Sequence, residues 1–193
     1  DYVFDGVASQ PYAEDAHCHP ASVYGKSKRA GEEHVLELLP HSGSIVRTAW
    51  LYGEHGTSFP RTILRLGASQ DTLDVVDDQV GQPTWAHDVA EMIAALVSQG
   101  APAGIVHATN SGQTTWWGFA QRLFELAGWD PARITPVSSQ KFIRPAPRPA
   151  WSVLGHANWA RLGMNTPRHW RDALDEAWDQ ELSPFAQEIN SAR

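Results

Sequence analysis

Apolar residues in this chain alternate between helical spacing and short runs rich in β-branched residues, and this alternation constrains the fold more than any other feature. Val89, Met92, Ile93, Leu96 and Val97 form a helical stripe that ends at Gly100. The stripe lies between two strand-like runs, Leu73 to Val76 and Ile105 to Ala108. Val23 to Leu39 reads as an earlier helix, in which Gly31 marks either close packing or a local cost in stability. Ser44 to Leu51 reads as a strand, and about Ser58 to Leu66 as a helix. Trp116 to Ala127 reads as a helix capped by Thr114 or Thr115, with Gly128 beyond it. Pro131 to Met164 is Pro-rich and reads as irregular. Thr166-Pro167 then opens a last helix with Trp170, Leu174, Ala177 and Trp178 on one face. Strands separated by helices imply an α/β fold with a parallel sheet, the later segments forming a smaller lobe.

Within the first helix, Tyr24 and Lys28 stand four residues apart, so their side chains share one face about one turn from each other. A free phenol is a poor proton donor or acceptor at neutral pH, and a cation held beside a phenol favours its ionised form. The pair therefore suits a general acid/base and the group that tunes it. The same spacing also suits a phenol that closes a core face beside a solvated ammonium.

At 193 residues the chain is long enough for a substantial core, in one domain or one and a half. Its net charge of −7 argues against nucleic acid or an anionic membrane as a general partner. No apolar run approaches membrane-spanning length and no charged-then-apolar leader begins the chain. Cys18 is the single cysteine, which allows no internal disulfide and suits a cytoplasmic location. His17-Cys18-His19 invites a metal reading. Adjacent residues point to different sides, however, and spacing fixes no carboxylate partner, so no metal site is assigned.

Several motifs, in order along the whole chain, carry a resemblance. Asp1-Tyr2-Val3-Phe4-Asp5-Gly6 opens the chain, followed by Pro11-Tyr12-Ala13-Glu14-Asp15 and Pro20. Tyr24-Gly25-Lys26-Ser27-Lys28 and Ala30-Gly31-Glu32 come next, then Arg47-Thr48-Ala49-Trp50-Leu51-Tyr52-Gly53. Val75-Val76-Asp77-Asp78-Gln79-Val80-Gly81-Gln82-Pro83-Thr84 and Arg148-Pro149 complete the set. This series resembles the dTDP-4-dehydrorhamnose reductases of the extended short-chain dehydrogenase/reductase superfamily.

The resemblance implies a partial Rossmann-like parallel sheet plus a smaller C-terminal substrate-binding lobe. Residues 1–56 would belong to the NAD(P)-binding domain, and 57–193 mainly to the substrate lobe, with some segments returning to the sheet. It implies hydride transfer from NADPH or NADH to a dTDP-linked 4-keto-6-deoxy sugar, with Tyr24 as proton donor and Lys28 on the nicotinamide ribose. Thr48 would border the nicotinamide, and Asp1, Tyr2, Trp50 and Arg148 would face the substrate. Ser58 departs from the family, where an Asn commonly precedes the Phe. Of two alternatives, a related nucleotide-sugar dehydratase or epimerase is disfavoured because Asp1 is followed by Tyr2 rather than by the Glu of the dehydratases. A non-catalytic reductase-like binding subunit is disfavoured by the intact Tyr24–Lys28 pair. The Gly-rich cofactor turn and the catalytic Ser/Thr would precede Asp1, since Gly53 and Gly56 are followed by Phe59 rather than a third glycine. On this reading the chain is the C-terminal portion of a larger reductase, inactive alone, and either a homodimer or associated with an N-terminal segment.

Overall fold

In a computed structural model, which describes residues 1–142 and 145–191, parallel strand pairs carry helices on their flanks. Helix α1 (Val23–Leu38) is followed by strands β1 (Ser44–Arg47) and β2 (Leu51–Tyr52) and helix α2 (Phe59–Ser69). Next come β3 (Leu73–Val76), β4 (Val80–Gly81), β5 (Thr84–Trp85) and α3 (Ala86–Ser98). Then follow β6 (Gly104–His107), β7 (Thr114–Thr115), α4 (Trp116–Leu126) and β8 (Ile134–Val137). Helices α5 (Ala157–Arg161), α6 (Trp170–Ala177) and α7 (Ser183–Ser191) complete the order. The pairs β1–β6, β2–β5 and β3–β8 are parallel, as the alternation of elements requires, and β4–β7 is antiparallel.

Where the structure departs from the sequence pattern, the cause lies in distant contacts. The strand expected from Ser44 to Leu51 breaks after Arg47, because Trp50 takes a left-handed φ of 45° and turns the chain away from β6. Beyond that bend β2 finds β5, and the Trp50 carbonyl accepts from the Thr84 N–H at 3.1 Å. The segment expected to be irregular contains β8, with Pro136 opposite Val75, and the short α5. The last helix starts at Trp170 rather than at Thr166-Pro167. Arg168 reaches back to grip both carboxylate oxygens of Asp88, at 2.8 and 2.6 Å, and its backbone pairs with Ser111. These bonds hold the residues before His169 extended, and the His169 ring caps the helix. A π turn over Trp178–Leu182 then leads into α7.

The helical stripe is half used. Met92 and Leu96 are buried, but Ile93 and Val97 remain 41% and 62% exposed. Gly31 makes no close contact, since an added Cβ there would meet nothing within 4 Å. The tight approach falls instead at Gly25, where a Cβ would lie 2.1 Å from the Tyr2 carbonyl oxygen.

The largest core cluster gathers Trp85, Phe119, Phe124, Leu174 and Leu182 among α2, α4, α6 and α7. A second sets Met92, Leu96 and Trp159 against Val46 and Val106. A third places Val3 and Phe4 against Leu154. Residues 150–155 run between the first part of the chain and β4. Trp151 N–H donates to the Gly6 carbonyl, Tyr12 N–H to Val153, and Val80 N–H to Ala150.

Gln82 fastens this arrangement. It is 2% exposed. Its Nε2 donates to the Leu154 carbonyl at 3.1 Å, while its Oε1 accepts from Leu154 N–H at 2.8 Å and from Thr109 Oγ1 at 2.9 Å. Replacing it by Leu strands the Leu154 N–H and carbonyl, each at a cost of roughly 1–3 kcal/mol, while Thr109 Oγ1 keeps His156 Nε2 at 2.9 Å. Gln82→Leu is expected to lower stability by on the order of 3 kcal/mol in urea denaturation, whereas a midpoint within error of wild type would show that the network relaxes freely.

Candidate active site

Helix α1 begins at a Ser22 cap, whose Oγ accepts from Gly25 N–H at 3.0 Å. The missing side chain at Gly25 lets this first turn rest directly on the backbone of Tyr2. As a result the Tyr2 ring meets the Tyr24 ring edge-on, with centroids 5.5 Å apart at 88°. Tyr24 is 58% exposed, and the Lys28 ammonium lies 5.4 Å from the centroid of its ring. The i,i+4 geometry read from the sequence is therefore present, on a face open to solvent.

A cleft of about 540 Å³ brings Asp1, Tyr2, Tyr24, Lys28 and Thr48 together. Asp1 Oδ2 and Thr48 Oγ1 are buried there without a hydrogen-bonding partner. Tyr2 also lines a neighbouring cavity of about 250 Å³ with Arg148, which joins this residue to the same region. Pro149 beside it fills the space over Gly6, where a Cβ would lie 2.4 Å from the proline Cβ. The Asp5-Gly6 and Arg148-Pro149 motifs are thus two sides of one contact.

Trp50 lies outside both cavities. Its indole stacks on Trp116, with centroids 3.5 Å apart and planes at 8°, and covers Gly81, where a Cβ would clash at 2.4 Å. This stacking offsets a left-handed backbone that costs on the order of 1 kcal/mol for a residue with a side chain. Ser58 is buried with an unpartnered Oγ. His17 and His19 are exposed, while Cys18 Sγ accepts from Arg47 Nη2 at 3.3 Å. Among the described residues, ligand atoms of His87, Asp88 and Glu91 lie within 4.8 Å of one another, but Asp88 is already held by Arg168.

Sequence reasoning missed the buried groups behind the cleft. Arg47 and Glu32 are 5% and 8% exposed. Arg47 Nε and Nη2 each donate to one oxygen of Glu32, both at 2.7 Å. Burial raises the Glu32 carboxyl, but Arg47 and then Arg29 outweigh it and hold it below the ordinary carboxylate range. The available signal was that Glu32 stands four residues beyond Lys28 and so continues the Tyr24–Lys28 face.

His107 is fully buried beside this pair, with Nδ1 2.9 Å from the Gly155 carbonyl and Nε2 3.3 Å from Arg47 Nη1. The neutral ring with its proton on Nδ1 satisfies both neighbours.

Comparison with known proteins identifies the family. The family model described as the RmlD substrate binding domain matches residues 1–183. The chain belongs to this family. It is 52% identical over 182 residues to the dTDP-4-dehydrorhamnose reductase of Streptomyces griseus, covering 92% of this chain and 60% of that protein. It is 50% identical over 178 residues to the dTDP-4-keto-6-deoxy-D-glucose reductase of Streptomyces niveus, covering 92% and 62%. The crystal structure of dTDP-4-dehydrorhamnose reductase from Bacillus anthracis in complex with NADP superposes with a TM-score of 0.86 at 35% identity, covering 93% of this chain and 62% of that one. The chain thus spans about three fifths of the length of these relatives. The fold of this RmlD-family chain is α/β and Rossmann-like. No helix among the described residues is long and apolar enough to cross a membrane.

Burial, and after it the Arg47 charge, lowers the His107 pKa from 6.5 to about 3, and burial lowers His156 as well. Between those values the unfolded chain binds a proton that the folded chain excludes. The stability contributed by neutral His107 is therefore complete above about pH 6.5 and is lost as pH falls toward 3, by up to ~1.4 kcal/mol per pH unit. The urea midpoint is expected to fall between pH 6.5 and 5, with a shallower slope in His107→Gln. An unchanged midpoint over that range would contradict the assignment.

Proposed function

We propose that the protein carrying this chain reduces the 4-keto group of a dTDP-linked 6-deoxy sugar. Specifically, dTDP-4-dehydro-L-rhamnose would become dTDP-L-rhamnose, in rhamnose biosynthesis. The observation that carries this reading is the Tyr24–Lys28 pair, presented with Thr48 in one cleft of an RmlD-family chain. The names of the Streptomyces relatives support the substrate class, and the NADP complex from Bacillus anthracis supports a nicotinamide cofactor, NADPH or NADH.

The residues present fit the nicotinamide end of such a cofactor. Lys28 makes no ion pair among the described residues, Tyr24 is exposed, and Thr48 Oγ1 and Asp1 Oδ2 lack partners. The cofactor supplies a hydride when bound. Tyr24 Oη then gives its proton to the ketone oxygen, and its position is set by the Tyr2 ring. Lys28 donates to ribose hydroxyls. Asp1 and Tyr2 border the sugar, and Arg148 pairs with the diphosphate through a charge-assisted fork. Residues 1–56 act as part of the cofactor domain and 57–193 mainly as the substrate lobe. The packing of Met92, Leu96 and Val106 on Val46 supports a return of that segment to the sheet. The enzyme works in the cytoplasm.

Partner chains follow from strand pairing. β1 pairs with β6 along one edge, and among the described strands none pairs with its other edge. Such an edge recruits another strand, either from a longer form of this protein or from a second copy. Light scattering of this chain alone is expected to show a dimer or larger assembly, and a stable 21.3 kDa monomer would overturn the expectation.

The central test is Tyr24→Phe in a protein of the relatives' full length. Turnover of the 4-keto sugar nucleotide, followed by NAD(P)H oxidation, is expected to fall at least ~10²-fold while sugar-nucleotide binding is retained. Turnover equal to wild type would remove Tyr24 from the mechanism.

A further inference from the structure

Tyr24, Lys28 and Glu32 recur every four residues on the face of α1 that lines the cleft. A Lys and a Glu at this spacing ordinarily attract each other, even in the weaker order with Lys first. Here they are not paired. Arg47 takes Glu32 Oε1 and Oε2 at 2.7 Å each, and Arg29 Nη1 adds a contact to Oε2 at 3.2 Å. Arg29 cannot replace Arg47, because it reaches a single oxygen and its Nε is committed to Glu33 at 2.9 Å. Arg47 is itself held from behind by the Glu14 carbonyl, by His107 Nε2 and by a Phe4 ring 5.0 Å away.

We propose that Arg47 is a positioning residue that holds the Glu32 carboxylate away from Lys28, keeping the ammonium free to act in the cleft. What the free ammonium does there rests on the reductase reading; that it is kept free does not. The planar guanidinium satisfies both carboxylate oxygens at once, which a point charge cannot do. The carboxylate of Glu32 therefore stays turned toward β1 while Lys28 faces the cleft.

The test reads Lys28 directly in this chain, without cofactor or sugar. Reductive methylation is followed at Lys28 by peptide mass analysis as a function of pH. The charged groups around the amine are Arg29, Glu32 and Glu33 of α1, with Asp1 and Arg47 across the cleft. In Arg47→Met the released carboxylate is expected to pair with Lys28. That shifts the labelling profile to higher pH and slows labelling at fixed pH by about 1.4- to 2.3-fold, the factor for an ordinary i,i+4 ion pair. The double variant Arg47→Met/Glu32→Gln has neither a carboxylate to release nor an unpaired guanidinium and is expected to label as wild type does. An unchanged profile in Arg47→Met, or equal slowing in the single and double variants, would overturn the proposal. Should circular dichroism show Arg47→Met unfolded, Arg47→Lys replaces the two fixed bonds of the fork by one from a rotatable ammonium, loosens the carboxylate and should slow labelling by a smaller factor. A wild-type profile there overturns the proposal equally. Because these readouts need no turnover, failure of the Tyr24→Phe test would leave this result standing, and the reverse also holds.

Discussion

The arrangement of the cleft depends on one buried ion pair. Arg47, at the end of β1, gathers Glu32 from α1, the carbonyl of Glu14, the thiol of Cys18, the ring of His107 from β6 and the face of Phe4. Such a pair adds little net stability, because removing two charges from water costs nearly as much as their attraction returns. Its contribution is geometric. A guanidinium fork accepts a carboxylate in one orientation, so α1 cannot roll without losing both bonds. Seven residues earlier, Gly25 rests on the Tyr2 carbonyl and fixes the same helix about two turns away. Fixed at both points, α1 presents Tyr24 and Lys28 to the cleft in one rotation.

The motifs that look separate in the sequence are opposite sides of single contacts. Gly6 leaves room for Pro149, and Gly81 leaves room for the Trp50 indole, which in turn stacks on Trp116. Gln82 binds the backbone of Leu154 as a strand partner would, giving both a donor and an acceptor. These contacts join the opening segment, β4 and residues 150–155 into one body around the two cavities. The glycines there are needed for what approaches them, and Trp50 accepts an unfavourable backbone because its ring stacks on Trp116 and packs over Gly81.

Much of the fold was legible from periodicity. The helices around Val23, Met92 and Trp116 and the strand at Leu73–Val76 lie where apolar spacing put them. The misreadings share one physical origin. The β1 strand was read too long because the bend at Trp50 depends on Trp116 and Gly81, both far along the chain. The last helix was read too early because Arg168 is drawn to Asp88, 80 positions away. Strand β8 was hidden by Pro136, which lacks an N–H yet pairs at the edge of β3. Half of the α3 stripe stays exposed because a helix pattern reports which residues share a face, not whether another element covers that face.

The sequence by itself determined the alternation of elements and the placement of Tyr24 and Lys28 on one helical face, because both follow from local backbone geometry within a few residues. Tertiary structure alone decided which strands pair and where the Trp50 ring lies. It also decided that Glu32 turns to Arg47 rather than to Lys28. Those outcomes depend on side chains 15 to 72 positions apart meeting in a space from which water is excluded, where a satisfied donor or acceptor outweighs any local preference.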